Sequence, residues 1–379
     1  MRYRRFGSLD WYVSALGFGA MRLPTLGGDY SSVDEDEAIK MIRYGIEHGI
    51  NYIDTAYGYH GGKSEVIVGR AIEGFRDRVR IATKMPIWLV NSHSDMDRVL
   101  NEQLNRLNID YIDFYLLHGL NRDRWRKVKE LNVFEWLKHA LAEGKIRYVG
   151  FSFHDSFDVF KEIVDSYNWT LCQIQYNYLD VDYQAGVRGL KYAASKGLAV
   201  VVMEPLAGGL LANPPSEVVE VFRRARVERS IVEWALLWVW NHPEVSVALS
   251  GMSSMQQVVE NVKYADNAIP NILSNDELIL FDEARRILRT IGFINCSKCR
   301  YCQPCPNGVL IPEIFEYYNL YFIRGRDPSV IDEYNSKVPI QGRVENCVKC
   351  GVCESLCPQH IEIRLWLDRA RRLFQRPPR

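Results

Sequence analysis

Asn51-Tyr52-Ile53-Asp54-Thr55-Ala56-Tyr57-Gly58-Tyr59 opens as a short apolar run, stops at a carboxylate and passes into a loop rich in tyrosine and glycine. Helical periodicity flanks it. Upstream, Asp34–His48 begins with an acidic first turn and closes at Gly49; downstream, Ser64-Glu65 starts another helix before the apolar run Val79–Thr83. Strand, helix and strand in this order predict parallel neighbours joined by a crossover. The pattern repeats outward in both directions. Strands are predicted at Ala15–Gly19, Asn51–Asp54, Val79–Thr83, Ile112–His118, Arg147–Phe151, Cys172–Tyr176, Ala199–Met203 and Val245–Ser250. A helical stretch follows each, such as Asp95–Leu107 with Ser94 as its N-cap. Eight such units close into a (β/α)₈ TIM barrel. An open doubly wound sheet is the alternative, but the GxGxxG turn is missing after the first strand, where Gly17-Phe18-Gly19 is only a weak echo.

A barrel takes roughly 250 residues, so a chain of 379 leaves room for an appendage rather than a second equal half. Residues 1–270 are assigned to the barrel and 271–379 to a helical extension. Asn267–Ser274, containing Pro270, reads as the linker, and Ser274 with Glu277 forms a capping box for a helix running to Leu288. A basic, apolar helix at Arg364–Phe374 precedes a Pro-rich tip. The zero net charge gives no electrostatic ground for a nucleic-acid or membrane-surface partner. MRYRRFGSLD is basic without the apolar core of a signal peptide, and Ala235–Trp240 is too short to span a bilayer and reads as a buried helix face. The expectation is a soluble, cytoplasmic protein.

Chemistry in such a barrel belongs at the C-terminal ends of the strands. Asp54 ends the second strand, Lys84 follows the third and His118 ends the fourth, while Tyr59 lies in the loop after Asp54. A carbonyl that accepts a hydride becomes an alkoxide, so a proton or hydrogen bond must reach its oxygen. An ammonium beside a tyrosine favours the phenolate and makes the phenol a better acid. A carboxylate keeps that ammonium oriented, and a histidine steers the carbonyl. Each residue alone also has a structural reading, and Tyr57 competes with Tyr59.

The segments Asn51–Tyr59, Ala82-Thr83-Lys84 and Leu116-Leu117-His118, with VSALGFGAMRL near the start and Ser64-Glu65, resemble the signatures of the aldo-keto reductases over roughly residues 1–265. The resemblance implies Tyr59 as general acid, Lys84 and Asp54 as its tuning pair and His118 as the orienting group. It also implies an NADP or NAD cofactor held by Ser152, Gln175, Asn177, Pro205, Leu206, Gly208, Gly251, Ser253, Gln257, Glu260 and Asn261. Departures stand beside it. Gly251 and Gln257 occupy places where NADP-preferring members carry a lysine and an arginine, and Phe153 replaces a cofactor-binding Asn.

Eight of the nine cysteines lie after residue 295; the other, Cys172, reads as a buried core thiol. The runs are Cys296-Ser-Lys-Cys299-Arg-Tyr-Cys302-Gln-Pro-Cys305-Pro306 and Cys347-Val-Lys-Cys350-Gly-Val-Cys353-Glu-Ser-Leu-Cys357-Pro358. The second matches the bacterial ferredoxin spacing, in which the fourth cysteine ligates the other cubane; the first is one residue shorter before its last cysteine. We assign Cys296, Cys299, Cys302 and Cys357 to one [4Fe-4S] cluster and Cys347, Cys350, Cys353 and Cys305 to the other. Two Cys₄ zinc sites are the alternative, though zinc ribbons present pairs of cysteines rather than triplets before a Cys-Pro. Ferredoxin-like C-terminal modules occur in one branch of the aldo-keto reductases, and the resemblance extends to it.

The expected activity is NAD(P)H-dependent interconversion of a carbonyl and an alcohol, on a small-molecule substrate and with a redox partner protein as a candidate second partner. The alternative is an electron carrier or redox sensor whose barrel only binds nicotinamide. His118–Asn132 is expected to be a long substrate loop, in which Arg122, Arg124 and Arg126 read either as a solvated face or as an attraction for an anionic substrate or for the cysteine module.

Overall fold

The computed structural model describes residues 1–375, so the Pro-rich tip lies outside the described residues. The chain divides into two compact units, one of Met1–Pro205 with Leu236–Ile272, the other of Leu206–Ala235 with the chain from Leu273 onward.

In the first unit a hairpin of β1 (Tyr3–Arg5) and β2 (Tyr12–Ser14) precedes eight parallel strands. These are β3 (Leu16–Gly19), β4 (Tyr52–Asp54), β5 (Arg80–Met85), β6 (Ile112–Leu120), β7 (Ile146–Phe153), β8 (Leu171–Gln175), β9 (Ala199–Met203) and β10 (Val245–Ser250). They close in sequence order, with β10 pairing β3. All eight expected strands are present. The hairpin was not expected: strands of three residues carry almost no periodicity. It inserts Phe6 and Val13 among Tyr52, Ala82, Phe114 and Leu171, and so plugs the barrel at the N-terminal ends of its strands.

Period-two alternation then sets the other end. Tyr52, Ala82, Leu116 and Leu171 share the interior core, and two residues further on the same faces carry Asp54, Lys84, His118 and Gln173. Gly17 belongs to this packing, since a Cβ there would meet Leu249 and Val247 side chains at 2.8 Å. Its glycine serves strand contact and not a phosphate turn.

Three expectations change. The helix at His93–Leu107 is capped by Ser92, which accepts from Asp95 N, and not by Ser94. His118–Asn132 is no long loop, because Asn121 accepts from Arg124 N and starts a helix at Arg122–Glu130. Trp234–Trp240, in the helix Ile231–Trp240, is buried on every side rather than along one face.

The second unit contains no strand among the described residues. Ser274 and Glu277 form the expected capping box of the helix Asn275–Ile291, which ends at a left-handed Gly292. Phe222, Trp234 and Phe281 form a ring cluster beside it. The helices Ile311–Ile323, Ser329–Lys337 and Ile363–Phe374 enclose a core of Ile314, Phe315, Tyr334, Val344 and Leu367, where Tyr334 stacks on Phe374 at 3.9 Å. Six of the eight cysteines pack against or within this core, on segments with little regular structure. Among the described residues no helix is long and apolar enough to cross a membrane.

Candidate active site and cysteine centres

Lys84 is 1% exposed and donates from Nζ to Asp54 Oδ1 at 2.6 Å and to the Thr55 carbonyl at 2.8 Å. Burial lowers the ammonium and raises the carboxyl, and their mutual attraction opposes both shifts. The short contact and the added carbonyl favour the charged pair. Lys84 Nζ stands 5.1 Å from the ring centroid of Tyr59, whose edge meets His118 at 6.1 Å between centroids. His118 is held well below the usual histidine range by burial and then by Lys84, Arg124 and His154, so its ring is neutral at pH 7. Asp54, Tyr59, Lys84 and His118 therefore converge at the open end of the barrel.

Tyr59 owes its place to a turn that sequence reasoning missed. His60, Gly61 and Gly62 all have positive φ, at 53°, 66° and 92°. For a histidine this conformation is strained and must be held by its surroundings. His60 Nε2 accepts from Leu23 N at 3.1 Å and its Nδ1 meets the Tyr30 carbonyl at 2.7 Å, which assigns the proton to Nδ1. Tyr57, the competitor, donates to Glu102 at 2.8 Å under the Arg106 guanidinium. It is committed elsewhere. Glu65 was likewise unassigned as a positioning group. Fully buried, it accepts from Thr83 (2.6 Å), Gln103 (2.7 Å) and Arg106 (3.2 Å), while Gln103 also donates to the Lys84 carbonyl. Burial raises the Glu65 carboxyl, and these donors counter the rise.

The residues expected to hold the cofactor fall on several strand ends. Ser152 accepts from Gly119 N at 2.7 Å, beside His118. Gln175 donates to Asp180, and Asn177 ties the Glu204 carbonyl to the amides of Leu179 and Asp180. Phe153 is buried against Phe151 and Phe160 and so packs instead of binding. Past β10, Asn261 donates to Ser250, Gln257 accepts from Ser253 N, and Glu260 accepts from Gln256. Arg22, which the sequence reading passed over, pairs with Glu204 at 3.3 Å and lies against Gly251, where a Cβ would meet its Cδ at 2.9 Å. Pro205 ends the first of the two segments of the first unit; Leu206 and Gly208 belong to the second unit, and Gly208 has φ 67° with Ser297 packed on it.

Within the second unit, one recess is lined by Cys296, Cys299, Cys302 and Cys357, and another by Cys305, Cys347, Cys350 and Cys353. Cys302 also borders the second. Its thiol is pushed up by burial and then by Cys299, Cys296 and Cys357, which groups it with the first four. Burial pushes the Cys296 thiol up to about 12 and Cys353 to about 11. Thiols so disfavoured as thiolates need a cationic centre to become ligands. Four cysteines around each recess are the number that one [4Fe-4S] cluster takes.

Residues 15–272 match the aldo/keto reductase family, and residues 295–362 match a 4Fe-4S dicluster domain. The chain is 29% identical over 280 residues to L-galactose dehydrogenase of Arabidopsis thaliana, covering 68% of this chain and 86% of that protein. Its fold is similar to the holo form of aldo-keto reductase AKR11C1 from Bacillus halodurans (TM-score 0.63, 30% identity, 75% of this chain and 96% of that one). It is also similar to an aldo-keto reductase from Klebsiella pneumoniae in complex with NADPH (TM-score 0.61, 28% identity, 74% and 94%). The chain belongs to the aldo/keto reductase family and carries a 4Fe-4S dicluster domain toward its C-terminus.

Proposed function

We propose that the barrel interconverts an aldehyde or ketone and its alcohol with NADPH or NADH, and that the second unit holds two [4Fe-4S] clusters. The observation that carries the first part is the buried Lys84 ammonium, bonded to Asp54 and set against the Tyr59 ring.

Bound nicotinamide supplies the hydride. Tyr59 donates a proton from its hydroxyl to the substrate oxygen, and the neighbouring ammonium makes the departing phenolate less costly. Asp54 holds Lys84 in place, and neutral His118 directs the carbonyl by hydrogen bonding. The donor set fits a dinucleotide. Ser152, Gln175 and Asn177 gather polar groups at the strand ends, and the helix Met255–Tyr264, capped by Ser254, begins just after Gly251 and Ser253. Gln257, Glu260 and Asn261 lie on its first turns. Gly251 and Gln257 offer no charge for a 2′-phosphate, so Arg22 is the cation we assign to that neighbourhood.

Such clusters would supply one-electron transfer or a structural brace. Cys296, Cys299, Cys302 and Cys357 hold one and Cys305, Cys347, Cys350 and Cys353 the other. A hydride carries two electrons and each cluster would carry one, so direct coupling to the hydride step would need a one-electron mediator.

Tyr59→Phe removes the proton donor and leaves the ring. We expect kcat/KM for aldehydes to fall by about 10²–10⁴-fold, measured anaerobically by NAD(P)H consumption across an aldehyde panel. A Phe variant as fast as wild type, or a wild type that turns over no carbonyl while its clusters exchange electrons, overturns the enzymatic reading.

A further inference from the structure

The three arginines Arg122, Arg124 and Arg126 follow one another on a single helix, yet they part company in the fold. Arg122 and Arg126 are exposed, and Arg126 faces Asp123 at 3.6 Å in solvent. Arg124 turns inward and is half-buried. Its Nη1 donates to the Gly119 carbonyl at 2.7 Å, one residue past His118. Its guanidinium lies over the Trp88 ring, 4.6 Å from the centroid, and Trp88 meets His118 at 5.0 Å between centroids. Trp88 is 38% exposed, so this corner opens to solvent while His118 beneath it is 5% exposed. His154, bonded to Gln184 at 3.2 Å, borders the same corner, because a Cβ on Gly119 would come within 3.9 Å of its ring.

This places a permanently charged group one stacked ring away from the histidine assigned to the carbonyl, on the solvent side. The strand itself makes the room. The pairing of β6 and β7 shifts between Leu117 and Leu120, and Gly119 takes φ +61°, so the chain bulges just after His118 and brings its carbonyl to Arg124. A guanidinium is weakly hydrated, stacks on aromatic rings and matches a carboxylate in a planar fork. Arg126, three ångströms and more from its partner in open water, has none of these features.

We infer that Arg124, seated on Trp88, is the anion-recognition element of the substrate pocket, and that the preferred substrates are aldehydes or ketones carrying a carboxylate a few atoms from the carbonyl. This rests on the carbonyl-reduction reading above.

The competing role for Arg124 is a clamp on Gly119 that only positions His118. Two matched pairs separate them in the full-length holoprotein: 4-formylbenzoate with its methyl ester, and 4-oxobutanoate with its methyl ester. Wild type should favour the anion of at least one pair in kcat/KM. Arg124→Gln should lower the anion-to-ester ratio by about 10–100-fold, the range of a lost charge-assisted hydrogen bond, mainly through KM, and Arg124→Lys should recover part of it. Equal losses on acid and ester, or no preference for the anion in wild type, overturn the inference in favour of the clamp. A readout without turnover keeps the two readings apart. Benzoate should bind the nicotinamide-loaded protein more tightly than benzamide by calorimetry, and Arg124→Gln should abolish the difference. Loss of turnover on all four compounds with that binding difference intact sinks carbonyl reduction and leaves the anion site. Equal binding of benzoate and benzamide sinks the anion site whatever the activity.

Discussion

The open end of the barrel and the cysteine centres position reactive groups in opposite ways. Asp54, Lys84 and His118 each stand two residues beyond an apolar neighbour on a strand whose register is fixed by both flanking strands. The barrel would hold them with no ligand present. The cysteines sit on turns and on the short helix Val352–Leu356, and several of them pack against the small core they would have to organise. In the first unit the fold places the site. In the second, a filled site would help to place the fold.

The strongest way to break that contrast is at the buried pair. Lys84→Met leaves the Asp54 carboxylate in the interior without its cation, and a lone buried charge of this kind costs about 3–5 kcal/mol. Urea unfolding followed through the first unit should show that loss, together with collapse of carbonyl turnover. The double variant Asp54→Leu/Lys84→Met should regain most of the stability and none of the activity, since an apolar pair often matches a buried ion pair. Full activity in the double variant would remove Lys84 from the chemistry.

At the cysteine centres the expected effect is the loss of about half of roughly eight irons. Cys305→Ser should delete the centre that Cys350→Ser deletes, although Cys305 lies in the first run; Cys357→Ser should pair with Cys299→Ser. Matching electron paramagnetic resonance spectra of the reduced variants would check it. If Cys305→Ser instead resembles Cys299→Ser, the clusters do not exchange their last ligands.

A smaller effect concerns acid. His242 is lowered to about 4, chiefly by burial, against about 6.5 in an unfolded chain. The first unit should therefore hold its full stability above about pH 6.5 and lose on the order of 1–3 kcal/mol as pH falls toward 4. His242→Gln, which can still pair with the Tyr176 hydroxyl, should flatten that slope. An unchanged slope would mean that His242 is solvated in the native state.

Much of this was legible because periodicity and spacing are local. Eight strands, the two cysteine runs and polar groups at strand ends follow from alternation and from two-residue gaps. What was hidden depends on long-range pairing. The hairpin declares itself only when Phe6 finds Phe114, 4.7 Å away and far along the chain. The commitment of Tyr57 to Glu102 and Arg106 could not be read locally, because both partners lie on a later helix. A left-handed His60 could be named only by its partners Leu23 and Tyr30. Arg22 gains meaning only beside Glu204 and Gly251.

The N-cap of His93–Leu107 shows the same limit on the smallest scale, and it can be tested cleanly. Asn91-Ser92-His93-Ser94-Asp95 offers two serines two residues apart, and sequence statistics favour either as a cap. The structure chooses Ser92, whose Oγ accepts from Asp95 N at 3.2 Å while the Asp95 carboxylate reaches back to Asn91 N at 2.9 Å. Ser94 Oγ bonds only to Ser92 Oγ among the described contacts and lies inside the first turn, where its own amide is one of the helix's open donors. Ser92→Ala should therefore cost the first unit about 1 kcal/mol, and Ser94→Ala a few tenths at most. Equal losses would mean that the two hydroxyls share the cap. A larger loss at Ser94 would return the helix start to where the sequence first put it.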